Sequence, residues 1–196
     1  MRIIGIDPGT AITGFSILER NKSKLTLLDY GCIRTKAGTP QHIRLNQIAQ
    51  DIDTLIKKWK PEQASIEKLF FKNNAKTAMT VAEARGVIIQ KLTENNVECR
   101  GYTPLEVKMS VCGYGRADKK MVQQMVKMLL KLKKTPQPDD AADAIALAIC
   151  LANAIPLEMR LAKGTNTSKY RGLSSSSDQF LLLSKFFHQA PNKMTT

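Results

Sequence analysis

The stretch that decides the fold is IIGIDPGT (Ile3–Thr10), at the start of the chain. Its apolar residues, Ile3–Ile6, are typical of a short buried strand, and the Asp-Pro-Gly that follows predicts a turn. A second short run, Gln63–Glu67, also ends in an acid. Ligand sites in mixed α/β sheets lie beyond the carboxyl ends of strands. If these two strands pair in parallel, Asp7 and Glu67 meet at one edge of the sheet.

The remaining elements extend this strand into a five-stranded mixed sheet. A polar turn at 21–23 joins the second and third strands and predicts a hairpin. Later strands alternate with helices, so the fold class is α/β, with helices packed over the sheet. The expected strands are Ile3–Ile6, Thr13–Leu18, Lys24–Thr35, Gln63–Glu67 and Val97–Tyr102.

Capping residues predict where the helices begin. The expected first residues or caps are Thr39 with Pro40, Asn74, Thr103 (in a capping box with Glu106), Asp118 and Asp139. The helix after Asp118 is expected to bury the stripe Met121, Met125, Met128, Leu129 and Leu132. The last helix is expected to end at Ile155. The chain therefore divides into one domain over 1–155 and a flexible Ser-, Thr- and Asn-rich tail over 156–196.

The charge of the chain indicates a polyanionic partner. Thirty Lys and Arg residues against 17 Asp and Glu give a net charge of +13. The range Lys108–Lys134 alone holds eight basic residues and one acid. Enzymes of small neutral substrates have no need of this excess, whereas contacts with phosphates use it. Nucleic acid is the favoured partner.

Cysteine spacing and hydropathy indicate a cytoplasmic protein without a membrane partner. The four cysteines form no C-x-x-C motif, which disfavours a zinc finger or a disulfide framework. The first residues do not have the pattern of a signal peptide, because Asp7 interrupts the apolar run. The longest apolar run, 141–155, is shorter than a membrane span and contains Asp143.

Two further acids, Asp140 and Asp143, stand three residues apart at the start of the last helix and project from one face. Asp140 alone is typical of a helix start, and Asp7 alone of a turn. Asp143 lies in an otherwise apolar helix, where an unpaired buried charge costs several kcal/mol, so it needs a cation or a strong partner. Clustered carboxylates fit Mg²⁺, with Mn²⁺ as a substitute, and two such ions can assist phosphodiester hydrolysis.

Five motifs in order resemble the RuvC-type Holliday junction resolvases, crossover junction endodeoxyribonucleases. The match runs from Met1 to about Ile155. The motifs are Gly5–Thr10 with Thr13-Gly14, Ile66–Phe70, Ala84-Arg85-Gly86, Gly113–Lys119 and Asp140–Ala144.

This resemblance implies a ribonuclease H-like fold and a homodimer that makes paired nicks in four-way junction DNA, with a branch-migration helicase complex as a further partner. It implies that the metal ligands are Asp7, Glu67, Asp140 and Asp143. It places Lys108 and Lys119 near the scissile phosphates and Phe70 against splayed junction bases. Phe70 and Phe71 are adjacent and would point in opposite directions, so either can be the stacking residue.

Two other functions compete with this interpretation. Gly-Ile-Asp-x-Gly-Thr also opens sugar kinases and actin-like ATPases, but those phosphotransferases need a second similar domain that 196 residues cannot hold. A junction-binding scaffold without catalysis is the other alternative, and the four intact acids argue against it.

Overall fold

The computed structural model describes residues 1–68 and 75–164, the latter without the side chains of 75–77 and 156–164. The strands are β1 (Arg2–Asp7), β2 (Ile12–Asn21), β3 (Lys24–Arg34), β4 (Gln63–Glu67) and β5 (Glu98–Tyr102). The helices are α1 (Gln41–Trp59), α2 (Ala75–Glu94), α3 (Pro104–Cys112), α4 (Lys119–Leu129) and α5 (Asp139–Gly164).

The five strands form one mixed sheet in the order β3-β2-β1-β4-β5. β1, β2 and β3 pair antiparallel, whereas β4 pairs parallel with β1 and with β5. Ile6 lies opposite Ile66, and Asp7 lies opposite Gly14. The expected five-stranded mixed sheet and the parallel pairing of the two acid-bearing strands are therefore confirmed.

Successive side chains of a strand point to opposite faces of the sheet. Ile4, Ile6, Ala64 and Ile66 join a buried cluster with residues of α1 and α2. The next residues along β1 and β4 are Asp7 and Glu67, so both acids point to the opposite face of the sheet.

Helix α5 lies on that opposite face with almost nothing between its backbone and the strands. A Cβ on Gly5 would meet the carbonyl oxygen of Ala144, and a Cβ on Gly14 would meet that of Asp140. The hydroxyl of Ser16 donates to the Ala144 carbonyl oxygen at 2.9 Å. Because these residues of β1 and β2 are small, the backbone of α5 packs directly against the backbone of both strands.

Two of the expected caps are confirmed, and two are wrong: Thr39 is not a cap, and Asp139 is the first residue of α5 rather than its cap. Thr103 and Glu106 form both bonds of a capping box, and Asp118 Oδ1 accepts from the Met121 N–H at 2.7 Å. Pro40, rather than Thr39, is the N-cap of α1, without a side-chain bond. The N–H of Thr39 instead donates to the Lys36 carbonyl at 3.3 Å and belongs to the preceding turn.

The expected methionine stripe of α4 is also wrong. Val122 and Val126 face the core, while Met121 and Met128 are 44% and 69% exposed. Apolar residues occupy two neighbouring faces of this helix, so periodicity alone does not choose between them. The β-branched valines are the pair that packs.

Helix α5 continues to Gly164, beyond the expected end at Ile155. Pro156 removes one backbone hydrogen bond, but the strong helix formers after it continue the helix until a glycine. The first compact unit of the chain is Met1–Ala154. Residues 165–196 lie outside the described residues, so the flexibility expected for the tail stays a prediction. Among the helices described, none is long and apolar enough to cross a bilayer.

Candidate functional site

The carboxyl ends of β1 and β4 bring the first two predicted acids together. Ile6 and Ile66 are partners in the parallel ladder, and Asp7 and Glu67 are the next residues of their strands. Both acids therefore lie at the same edge of the sheet. Their carboxyl groups are close enough to share a hydrogen bond. The sheet register alone therefore explains how residues 60 positions apart meet.

The first turns of α5 add the other two acids. The Asp140 backbone is in contact with Gly14, which is the ladder partner of Asp7. Asp140 and Asp143 both act electrostatically on Asp7. The structure thus places all four predicted acids at one end of the sheet, two on strands and two on a helix.

Burial and mutual repulsion change the titration of this cluster. Burial, followed by the charges of Glu67 and Asp143, raises the pKa of Asp7 to about 8. Burial also raises the pKa values of Glu67 and Asp143 above their usual range. Carboxylates that are hard to ionise together favour a bound cation.

Lys119 supplies one such cation. Its Nζ lies 3.0 Å from Asp143 Oδ2 and 3.3 Å from Asp139 Oδ2. Burial lowers the pKa of Lys119, but its bonds to Asp143 and Asp139 outweigh this effect and the pKa is raised. Lys119 of α4 is therefore the cationic partner expected for Asp143.

Two residues beside the cluster were missed by the sequence reasoning. Asp139 was expected only as a cap, yet it binds Lys119 and accepts from Gln123 Nε2 at 3.0 Å. Its spacing from Asp143, four residues along the same helix, was the available signal. Arg85 is predicted only as part of a family motif, and its Nε donates to the Glu67 carbonyl oxygen at 3.0 Å. No sequence signal pairs a helix side chain with that backbone group.

The other expected contact residues are Lys108, Phe70 and Phe71. Lys108 is on α3, half-buried, where its charge acts on Cys112. Phe70 and Phe71 are outside the described residues.

The acids do not form a ready metal cage. Within the described ranges, no three His, Cys, Asp or Glu side chains are grouped so that they could hold a metal ion. Asp7 shares a hydrogen bond with Glu67, and Asp143 forms an ion pair with Lys119. The metal-ligand role of the four acids therefore stays a prediction.

The fold and the acids together define a class of protein. A five-stranded mixed sheet carries acids at the ends of two adjacent parallel strands, and a later helix adds two more acids across the same face. This arrangement is that of a ribonuclease H-like nuclease.

Comparison with known proteins then specifies the family. The family model of crossover junction endodeoxyribonuclease RuvC matches residues 3–151, and the chain belongs to this family. RuvC of Fusobacterium nucleatum is 44% identical over 169 residues, 86% of this chain and 89% of its own. RuvC of Clostridioides difficile is 49% identical over 161 residues, 82% of this chain and 95% of its own.

A solved structure agrees with these relatives. RuvC of Thermus thermophilus in complex with Holliday junction substrate is 30% identical, with a TM-score of 0.77 over 81% of this chain and 96% of its own. The ribonuclease H-like fold and the predicted class, a crossover junction endonuclease, are confirmed. Family membership gives no support to the phosphotransferase or to the scaffold.

Proposed function

We propose that this protein cuts four-way DNA junctions by hydrolysing one phosphodiester in each of two opposing strands, using Asp7, Glu67, Asp140 and Asp143. The observation that carries the proposal is their convergence at one end of the sheet, where burial and then the charges of Glu67 and Asp143 raise the pKa of Asp7 to about 8. The family name and the junction complex of the Thermus thermophilus relative support the substrate.

The donor set fits a hard divalent cation. The four acids offer only carboxylate oxygens, the ligands that Mg²⁺ and Mn²⁺ prefer. We infer two Mg²⁺ ions per site, with Mn²⁺ as a substitute. Bound ions of this kind supply positive charge to the scissile phosphate and make water a stronger nucleophile.

The chain's own residues position the DNA. Lys119 lies beside Asp143, from where its ammonium group is within reach of a phosphate oxygen brought to the acids. Lys108 and the basic residues around it hold the flanking backbone. Phe70, or Phe71 in its place, stacks on a base unpaired at the crossover.

Cutting two opposing strands requires two sites, which supports a homodimer with one site in each subunit. A branch-migration helicase complex is the further partner that the resemblance implies. The four cysteines, all among the described residues, are free thiols, which supports a cytoplasmic location.

Asp7→Asn tests the proposal. The variant is expected to bind a labelled four-way junction but not to cut it with Mg²⁺, because the carboxylate is lost while the basic residues stay. Asp51→Asn makes the same chemical change on α1, away from the acids, and should cut normally. Labelled duplex and single strand, each with and without Mg²⁺, serve as further substrates. Cutting by Asp7→Asn at the wild-type rate would remove the proposed role of the acids.

A further inference from the structure

We propose that Arg85 is a positioning residue for Glu67, which it holds in the geometry needed for metal binding through a bond to its backbone. This inference rests on the proposed function. Arg85 Nε donates to the Glu67 carbonyl oxygen at 3.0 Å. That oxygen lies at the end of β4, one residue beyond the last ladder pair with β1.

The peptide that follows Glu67 is held on both sides. Its carbonyl oxygen accepts from Arg85, and its N–H, which belongs to Lys68, donates to the Tyr102 carbonyl oxygen at 2.8 Å. A trans peptide points these two groups in opposite directions, so the two bonds fix the peptide plane. Fixing this plane limits rotation about the Cα–C bond of Glu67, and with it the direction in which the carboxylate leaves the strand.

The neighbouring strand leaves room for this arrangement. A Cβ on Gly101 of β5 would lie 2.9 Å from Lys68 Cγ and 3.5 Å from Arg85 Nη2. Lys68 continues past this position to Glu106, with Nζ 3.8 Å from Oε2. Lys68 thus crosses β5 where it has no side chain of its own, and Arg85 reaches van der Waals distance of the same position.

The helix that carries Arg85 is itself firmly placed. Ala84, Ile88 and Leu92 are fully buried, so α2 presents Arg85 from a packed face. The hydroxyl of Thr10, in the turn after Asp7, donates to the Thr80 carbonyl oxygen of the same helix at 2.7 Å. Helix α2 therefore contacts the end of each acid-bearing strand. Thr80 binds the turn after Asp7, and Arg85 binds the backbone of Glu67.

If Arg85 positions Glu67, a variant that lacks Arg85 should bind metal more weakly even when it is fully folded. Partners that orient a metal ligand typically contribute about 10–100-fold to metal affinity or activity. Arg85→Ala is therefore expected to weaken Mn²⁺ binding by about 10–100-fold. Four-way junction binding in EDTA should stay near the wild-type value. Higher metal concentration should restore part of the cleavage.

The experiment measures Mn²⁺ binding by calorimetry on full-length protein without DNA, together with melting temperature, junction binding and the metal dependence of cleavage. Arg85→Lys keeps one donor near the carbonyl and should recover part of the affinity. Lys91→Gln removes one positive charge elsewhere on α2, from an exposed pair with Glu94, and should match the wild type. If Arg85→Ala does not fold, Arg85→Met replaces it, because it keeps an aliphatic stem for packing.

Two results would overturn the inference. One is wild-type Mn²⁺ affinity in a folded Arg85→Ala or Arg85→Met protein. The other is a loss that follows the fall in melting temperature and that Arg85→Lys does not reduce. A wild-type protein that neither binds Mn²⁺ nor cuts junctions would instead contradict the proposed function itself, so the two failures are distinguishable.

Discussion

Lys119 of α4 neutralises Asp143 of α5, with Nζ 3.0 Å from Oδ2, in a pair whose side chains are 50% and 35% exposed. The acid proposed as a metal ligand therefore already has a cation beside it. A divalent ion that binds Asp143 must share it with this ammonium group or displace it.

Removing Lys119 should therefore make stability more dependent on metal. In EDTA, Lys119→Gln is expected to lose about 1 kcal/mol or less, as is usual for a partly exposed pair. That corresponds to a fall in melting temperature of about 2–4 °C. Added Mg²⁺ should raise the melting temperature more in the variant than in the wild type, because the competing ammonium is gone. Lys120→Gln, one residue along the exposed surface, is the control. Equal gains in all three proteins would contradict competition.

Closing the gap between β2 and α5 should destabilise the protein. Gly14→Ala adds a Cβ where the Asp140 carbonyl lies, and we expect a loss of about 1–3 kcal/mol in urea unfolding. Cleavage should fall too, since Asp140 must move. Gly86→Ala is the matched control, because its Cβ would meet nothing within 4 Å and a helical alanine gains about 0.5–1 kcal/mol over glycine. Similar stability of the two variants would rule out the close approach.

The raised pKa of Asp7 predicts a pH dependence of stability. Its pKa rises from 3.8 in the unfolded chain to about 8 in the folded protein, so the folded state holds the extra proton between these values. Stability from this group is therefore expected to fall as pH rises from about 4 to about 8. Asp7→Asn, which cannot ionise there, should gain on the wild type over that range in EDTA. Denaturation at pH 5, 6.5 and 8 measures the difference, and parallel curves would contradict the assignment.

Junction affinity should fall steeply with salt. Each phosphate contact releases counterions, with a slope near −0.9 per contact on a log–log plot for duplex arms. Lys133→Gln and Lys134→Gln, in the basic range, are each expected to reduce that slope by about 1. Lys24→Gln, at the start of β3, should leave it unchanged. A flat salt dependence in the wild type would argue against phosphate contacts as the main source of affinity.

Local patterns predicted those parts of the site that depend on short-range chemistry. The two strand acids followed from apolar runs that end in Asp7 and Glu67, and the caps of α3 and α4 from hydrogen bonding within three residues. The buried face of α4 could not be predicted from the sequence, because its valines and its methionines are both spaced to line one face of a helix. The bond from Arg85 to the Glu67 backbone depends on how α2 lies over the sheet, which no local pattern contains.

The contact of α5 with Gly5 and Gly14 also bears on how the enzyme is made. Asp7 is synthesised more than 130 residues before Asp140 and Asp143. At about 5–20 residues per second, a ribosome needs roughly 7–27 s to cover that interval. During this time the face of β1 and β2 that will receive α5 is bare, and half of the acids do not yet exist. Chains that terminate just before α5 keep the basic range Lys108–Lys134 but lack two of the four proposed catalytic acids, so we expect them not to cut DNA.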